Sequence, residues 1–138
     1  MCIRDSYWGE VLTTAALARG LAGLVIDGGV RDVAALERLG FPVFSHRIVL
    51  PGASKRSPGT AGLPVHVAGV PVAAGDWVVG DVDGVVVVPG AGVERVITAG
   101  RARESAEQGY FEALRAGATT VELLGLDATL IDSDAPPS

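Results

Sequence analysis

Residues 23–32 read GLVIDGGVRD, an apolar run that leads into a glycine-rich segment holding Asp27, Arg31 and Asp32. Arg31 brings a planar fork of N–H donors that can grip a carboxylate through two parallel hydrogen bonds. Asp32, its neighbour, can direct an oxygen toward a hard cation such as Mg2+, which needs few protein ligands and keeps several waters. Together the two residue types suit chemistry on a small carboxylic acid held beside a divalent metal. A plainer alternative stands next to this one, with Asp32 as a helix N-cap and Arg31 as a solvated surface charge.

A second group lies upstream in WGEVL, residues 8–12. A helix opening at Gly9 leaves its first amides without intrahelical acceptors and at the positive end of the dipole. The backbones of Gly9, Glu10, Val11 and Leu12 are therefore suited to receive the carboxylate of a small acid. The plainer alternative makes Gly9 a helix start and Glu10 a favourable charge on the first turn. Twenty residues separate Glu10 from Arg31.

Short helices alternating with short apolar runs mark an α/β domain. A helix is expected from Glu10 to Arg19, stopped by Gly20, followed by a buried strand over Leu21–Ile26. A glycine turn then leads to a helix capped by Asp32 and ending at Gly40, and to a second strand in PVFSH, residues 42–46. Asp27 to Asp32 thus fall between the C-terminal end of a strand and the N-terminus of a helix, where open α/β sheets collect ligands. From Val65 onward four strand-like runs are separated by Gly- and Asp-containing turns. The last of these, Val85–Val88, is apolar on both faces and is expected to be central. A long helix follows, interrupted or kinked near Gly100 and Gly109, and a short final turn.

The chain has 138 residues, 49% of them hydrophobic, enough for one small core. A net charge of −5 and a pI near 4.9 argue against a nucleic-acid surface. No apolar run is long enough to span a bilayer. The single cysteine, Cys2, excludes an internal disulfide and a cysteine-based zinc cluster. No secretory signal pattern is present, which makes the cytoplasm the expected compartment. MCIRDS, residues 1–6, fits neither the following helix nor a targeting pattern. It is read as a non-native leader on a fragment whose N-terminal portion is missing, with the domain over residues 7–127 and a flexible tail over 128–138.

WGE, ARGLAGLVIDGGVRDV, AGDWVVGDVDGVVVVP and LRAGATTVELLGLD together resemble the 4-hydroxy-4-methyl-2-oxoglutarate aldolase family, which also contains the regulators of ribonuclease E activity. The resemblance runs from about Tyr7 to Asp127. Its most specific element is an acidic residue, twenty residues and then Arg-Asp, matched by Glu10, Arg31 and Asp32. It implies a swivelling β/β/α three-layer sandwich, partial at the N-terminus here, assembled as a homotrimer or a pair of trimers. The implied activity is a divalent-metal-dependent retro-aldol cleavage of a 4-hydroxy-2-oxo acid to pyruvate, with oxaloacetate decarboxylation beside it. Gly9 to Leu12 would then bind substrate by their amides, Arg31 would bind its oxygens, Asp32 would anchor the metal and Glu10 would orient metal-bound water. Some members take a further carboxylate from a neighbouring subunit. Glu104 and Glu107 are candidates for it, with a solvated helix face as the plainer reading of both. AAGD stands where the family usually has Pro-Gly-Asp.

The remaining chemistry-bearing residues are read structurally. The only lysine, Lys55, sits with Arg56 in a long loop, which disfavours a Schiff-base aldolase. His46 and His66 lie in or beside apolar strand patterns and are expected to be hydrogen-bonded structural residues. Asp76, Asp81 and Asp83 punctuate hairpin turns. The alternative function, from another class, is a non-catalytic protein-binding regulator of ribonuclease E activity. A phosphohistidine-carrying domain would need a histidine in an exposed Gly- or Thr-flanked loop, and neither histidine has that setting.

Overall fold

A computed structural model of the protein describes residues 5–54 and 59–127. Cys2, Lys55, Arg56 and the tail expected over 128–138 lie outside the described residues. The chain divides into two compact units, Met1–Ala91 and Gly92–Ser138.

In the first unit the order is β1 (Ser6–Trp8), α1 (Glu10–Leu17), β2 (Leu24–Val30), α2 (Val33–Arg38), β3 (Val43–Ile48), β4 (Val65–Val67), β5 (Val70–Val72), β6 (Trp77–Gly80) and β7 (Val85–Val88). The first three strands form a parallel sheet in the order β1-β2-β3, and the other four make two antiparallel hairpins. Parallel neighbours need crossovers, which α1 and α2 supply. Buried Ala16 of α1, Ala35 and Leu36 of α2, Val30 of β2 and Phe41 form a small core. The Trp8 ring stacks on Phe41 at 6.2 Å and its indole N–H donates to the fully buried Thr13 hydroxyl at 2.7 Å. That bond satisfies both polar groups inside the core.

The second unit holds α3 (Val93–Arg115) and α4 (Thr120–Leu124). All four α-helices of the described residues end in the same way. After α1, Leu21 N–H donates to Ala16 O and Gly20 N–H to Leu17 O, with Gly20 at φ 70°; the pattern recurs at Gly40, Gly117 and Gly125. This paired closure needs a left-handed residue, which glycine adopts without a Cβ penalty. The glycine stops at 20 and 40 are thus borne out, although regular helix in α1 ends at Leu17 rather than Arg19.

Three expected elements differ. The strand expected over 21–26 begins at Leu24 and continues to Val30, so the segment read as a glycine turn is itself strand. Pairing on both sides holds it extended: Gly29 faces Ser6 on β1 and Arg47 on β3, and Val30 faces Trp8 and Ile48. Between Ile26 and Gly29 the register with β3 shifts, β2 advancing three residues while β3 advances two. Val85–Val88 is not central, since among the described residues β7 pairs with β6 alone and Val86 is exposed. Its two apolar faces have different surroundings: Val85 and Val87 line a groove with β2 and β3, and Val86 points away from it. Finally, α3 runs unbroken through Gly100 and Gly109. An interior glycine costs a helix only about 1 kcal/mol relative to alanine, and the Arg103–Glu107 pair at 2.8 Å, one turn apart, works in the other direction.

Among the described residues no helix is long and apolar enough to cross a membrane.

Candidate functional site

The end of β2 and the start of α1 meet at one point. Arg31 N–H donates to Trp8 O at 2.9 Å, which extends the β1–β2 pairing by one residue and fixes where the Arg31-Asp32 pair leaves the sheet. Asp32 then adopts φ 60°, ψ 33°, the left-handed region. Aspartate tolerates this region better than most residues, and such outliers gather at functional sites. Asp32 does stand at the N-cap of α2, as its type suggested, but its side chain makes no capping bond. Its Oδ2 instead accepts the Glu10 N–H at 3.1 Å, on the first turn of α1.

Thus the carboxylate is turned away from its own helix and toward another. The Arg31 Nε lies 3.7 Å from the same Oδ2, and both side chains are partly exposed. At that length the pair is a loose solvated contact, not a fork-to-fork bond that would consume the guanidinium. Gly9 is required by this packing. A Cβ there would come within 2.5 Å of Asp32 Oδ2 and 3.1 Å of Arg31 Cγ.

Gly9, Glu10, Arg31 and Asp32 are therefore brought together. Val11 and Leu12 follow on the exposed first turn of α1, beyond the amide that Asp32 engages. As a donor set for a cation the site offers the Asp32 carboxylate. Among the described residues no group of three or more His, Cys, Asp or Glu side chains gathers into a metal cluster. One carboxylate fits a hard, largely hydrated ion whose other positions go to water and substrate oxygens, and does not fit a closed structural site.

A separate groove of about 1000 Å³ runs between β2–β3 and the two hairpins, walled by valines and by Phe44, and none of Gly9, Glu10, Arg31 and Asp32 lines it. At it His46 Nδ1 lies 3.5 Å from Asp27 Oδ1, and Ala68 N–H donates to Asp27 Oδ2 at 3.2 Å. Asp27 thereby ties the β4–β5 turn to β2. His46 has this partner, whereas His66 is exposed on β4. Asp76 and Asp81 brace turns as expected, Asp76 accepting from Ala73 and Gly90 and Asp81 from Asp83 and Gly84. Glu107 is engaged by Arg103 within its own helix, and Glu104 is exposed there.

One contributor had no signal in residue spacing. The segment Pro51–Ala53 lies alongside β1, with Ser6 N–H donating to Pro51 O at 2.6 Å and Ala53 N–H donating to Ser6 O at 3.1 Å. This places Gly52 beside the Arg31 guanidinium.

A family model described as RraA-like, Aldolase/RraA, matches residues 2–87. A relative from Halalkalibacterium halodurans, named "Putative 4-hydroxy-4-methyl-2-oxoglutarate aldolase", is 33% identical over 100 residues, which cover 72% of this chain and 48% of the relative. A solved structure of an uncharacterized protein from Pseudomonas syringae is 33% identical with a TM-score of 0.76, covering 87% of this chain and 60% of that one. Streptomyces coelicolor RraAS2, described as an unusual member of the RNase ES inhibitor RraA protein family, is 31% identical with a TM-score of 0.69, covering 80% of this chain and 56% of that one. The chain spans about half the length of the curated relatives it matches. The α/β fold expected from the sequence is the fold of these solved relatives. With the family model matching more than half of its residues, this chain belongs to the RraA-like family.

Proposed function

We propose that the Arg31-Asp32 site serves a divalent-metal-dependent retro-aldol cleavage of 4-hydroxy-4-methyl-2-oxoglutarate or a related 4-hydroxy-2-oxo acid to pyruvate, with oxaloacetate decarboxylation as a side activity. The observation that carries this reading is the Asp32 carboxylate, withdrawn from capping and held by the Glu10 amide beside Arg31. Arg31 binds the substrate carboxylate through its fork. The first-turn amides of Val11 and Leu12 take a further oxygen, and the Glu10 side chain orients a water. Asp32 would hold Mg2+ or Mn2+ through an oxygen or through bound water, and that ion, when bound, supplies the positive charge that stabilises an enolate as the carbon–carbon bond breaks. The likeness to the Halalkalibacterium halodurans relative supports the substrate class. The working form in this reading is a cytoplasmic homotrimer or hexamer of the full-length protein.

Pyruvate release from a panel of 4-hydroxy-2-oxo acids and oxaloacetate, with Mg2+, with Mn2+ and with chelator, tests the proposal. Metal-dependent release from at least one of them is expected, and no release from any overturns it. The second reading, a non-catalytic regulator of ribonuclease E activity, draws on the likeness to Streptomyces coelicolor RraAS2. Inhibition of ribonuclease E that persists in a variant lacking the Asp32 carboxylate would favour it.

A further inference from the structure

We propose that Gly52 is a positioning residue for Arg31, its bare backbone forming the wall that sets where the guanidinium presents its donors. The inference rests on the reading of Arg31 as the carboxylate-binding residue. A Cβ built on Gly52 would lie 3.0 Å from Arg31 Nη1, and among the described residues, its two chain neighbours aside, no other atom comes within 4 Å of it. The backbone of Gly52 lies outside the left-handed region, so its conformation does not require glycine. Among the described residues, Arg31 is the one that a side chain at position 52 would crowd.

The wall is itself held firmly. The backbone bonds from Pro51 and Ala53 to Ser6 leave the segment little room to retreat, and Ser6 is buried in β1 with its hydroxyl donating to Trp8 O at 3.0 Å. Trp8 O also receives the Arg31 amide. Backbone and guanidinium of Arg31 are thus referenced to the same strand from two sides. A methyl group at position 52 meets the far end of a flexible side chain, and the side chain is the part that must move. Because a fork binds a carboxylate in a fixed plane, a displacement of a few tenths of an ångström weakens both bonds together.

The test compares Gly52→Ala and Gly52→Val with Gly59→Ala, a substitution at an exposed glycine where an added Cβ meets nothing within 4 Å among the described residues beyond its chain neighbours. Crystal structures of the wild type and Gly52→Ala locate the guanidinium, and titration with oxaloacetate and Mg2+ measures binding. Gly52→Ala should keep the wild-type melting temperature, shift the guanidinium and weaken oxaloacetate binding roughly tenfold, with KM rising more than kcat falls. In an Arg31→Lys background the substitution at 52 should have no further effect, because coupled residues are not additive. Equal effects in the two backgrounds, or an unmoved guanidinium in the Gly52→Ala crystal, would overturn the proposal. If Gly52→Val fails to fold, Gly52→Ala decides. If the wild type binds no oxaloacetate, the aldolase reading fails while the crystallographic position of Arg31 still decides the role of Gly52.

Discussion

The Glu10 amide and the Asp32 carboxylate, twenty-two positions apart in the chain, meet at 3.1 Å. That distance gives the spacing of the motif a physical meaning. Eight residues of α1 lead away from the site, a turn reverses the chain, and seven residues of β2 lead back.

If Asp32 anchors the metal, Asp32→Asn should lower Mg2+-dependent pyruvate release by roughly a hundredfold, equivalent to about 2.7 kcal/mol of transition-state stabilisation. The fold should persist, because asparagine also tolerates the left-handed region and its amide oxygen can still accept from Glu10. Steady-state kinetics across a Mg2+ series, with circular dichroism as control, check this. Near wild-type turnover at saturating Mg2+ counts against the assignment.

Arg31→Lys keeps the charge and loses the fork. A charge-assisted pair contributes about 1.5 to 3 kcal/mol, so a roughly ten- to hundredfold loss in kcat/KM is expected. A lysine variant with unaltered kinetics would sink the bidentate model.

Gly9→Ala places a methyl group against the Asp32 carboxylate. The Gly9 backbone is extended and suits alanine, so the clash with Oδ2 is the specific consequence. The expected result is an intact fold, a lost Glu10–Asp32 bond and a Mg2+ requirement raised roughly tenfold, if that bond contributes about 1.4 kcal/mol. An unchanged Mg2+ dependence would separate Gly9 from the metal site.

At the start of α4, Glu122 accepts from both the Thr119 amide and the Thr119 hydroxyl at 2.8 Å, while the hydroxyl accepts the Glu122 amide. The backbone bond first, and the hydroxyl second, hold the Glu122 carboxyl below the usual glutamate range. A lowered carboxyl stabilises the folded form above its unfolded pKa, and that contribution is lost as pH falls through the folded value. Amide signals of residues 119–122 should therefore report a fraying α4 in acid. Glu122→Gln keeps a capping-box residue and should abolish the dependence; the same acid fraying in that variant would assign it elsewhere.

Local signals were legible wherever one residue type decides the backbone. Gly20 and Gly40 stop their helices because left-handed closure favours glycine, and Asp76 and Asp81 brace turns by accepting nearby amides. The Glu10, Arg31 and Asp32 pattern also identified residues that do converge. What the chain order did not reveal was set by partners distant in sequence. Asp27 to Gly29 read as a turn because glycines punctuate chains, yet strands on both sides hold them extended. Val85–Val88 read as central from its composition, while its actual place at β6 depends on which face meets the groove. Gly52 carried no signal, because its importance lies in a side chain twenty-one positions earlier.

The shifted register between Ile26 and Gly29 bears on how this site tolerates change in length. A strand alternates its side chains between two faces, so one added or missing residue inverts everything beyond it. By holding one more residue than β3 over the same span, β2 acts as a half-step phase shifter ahead of Arg31 and Asp32. Loss of a single codon for Asp27 or Gly28 would remove that extra residue and leave Gly29 opposite Arg47 and Val30 opposite Ile48, so the strand can shorten by one there while Arg31 and Asp32 still leave the sheet on the same sides.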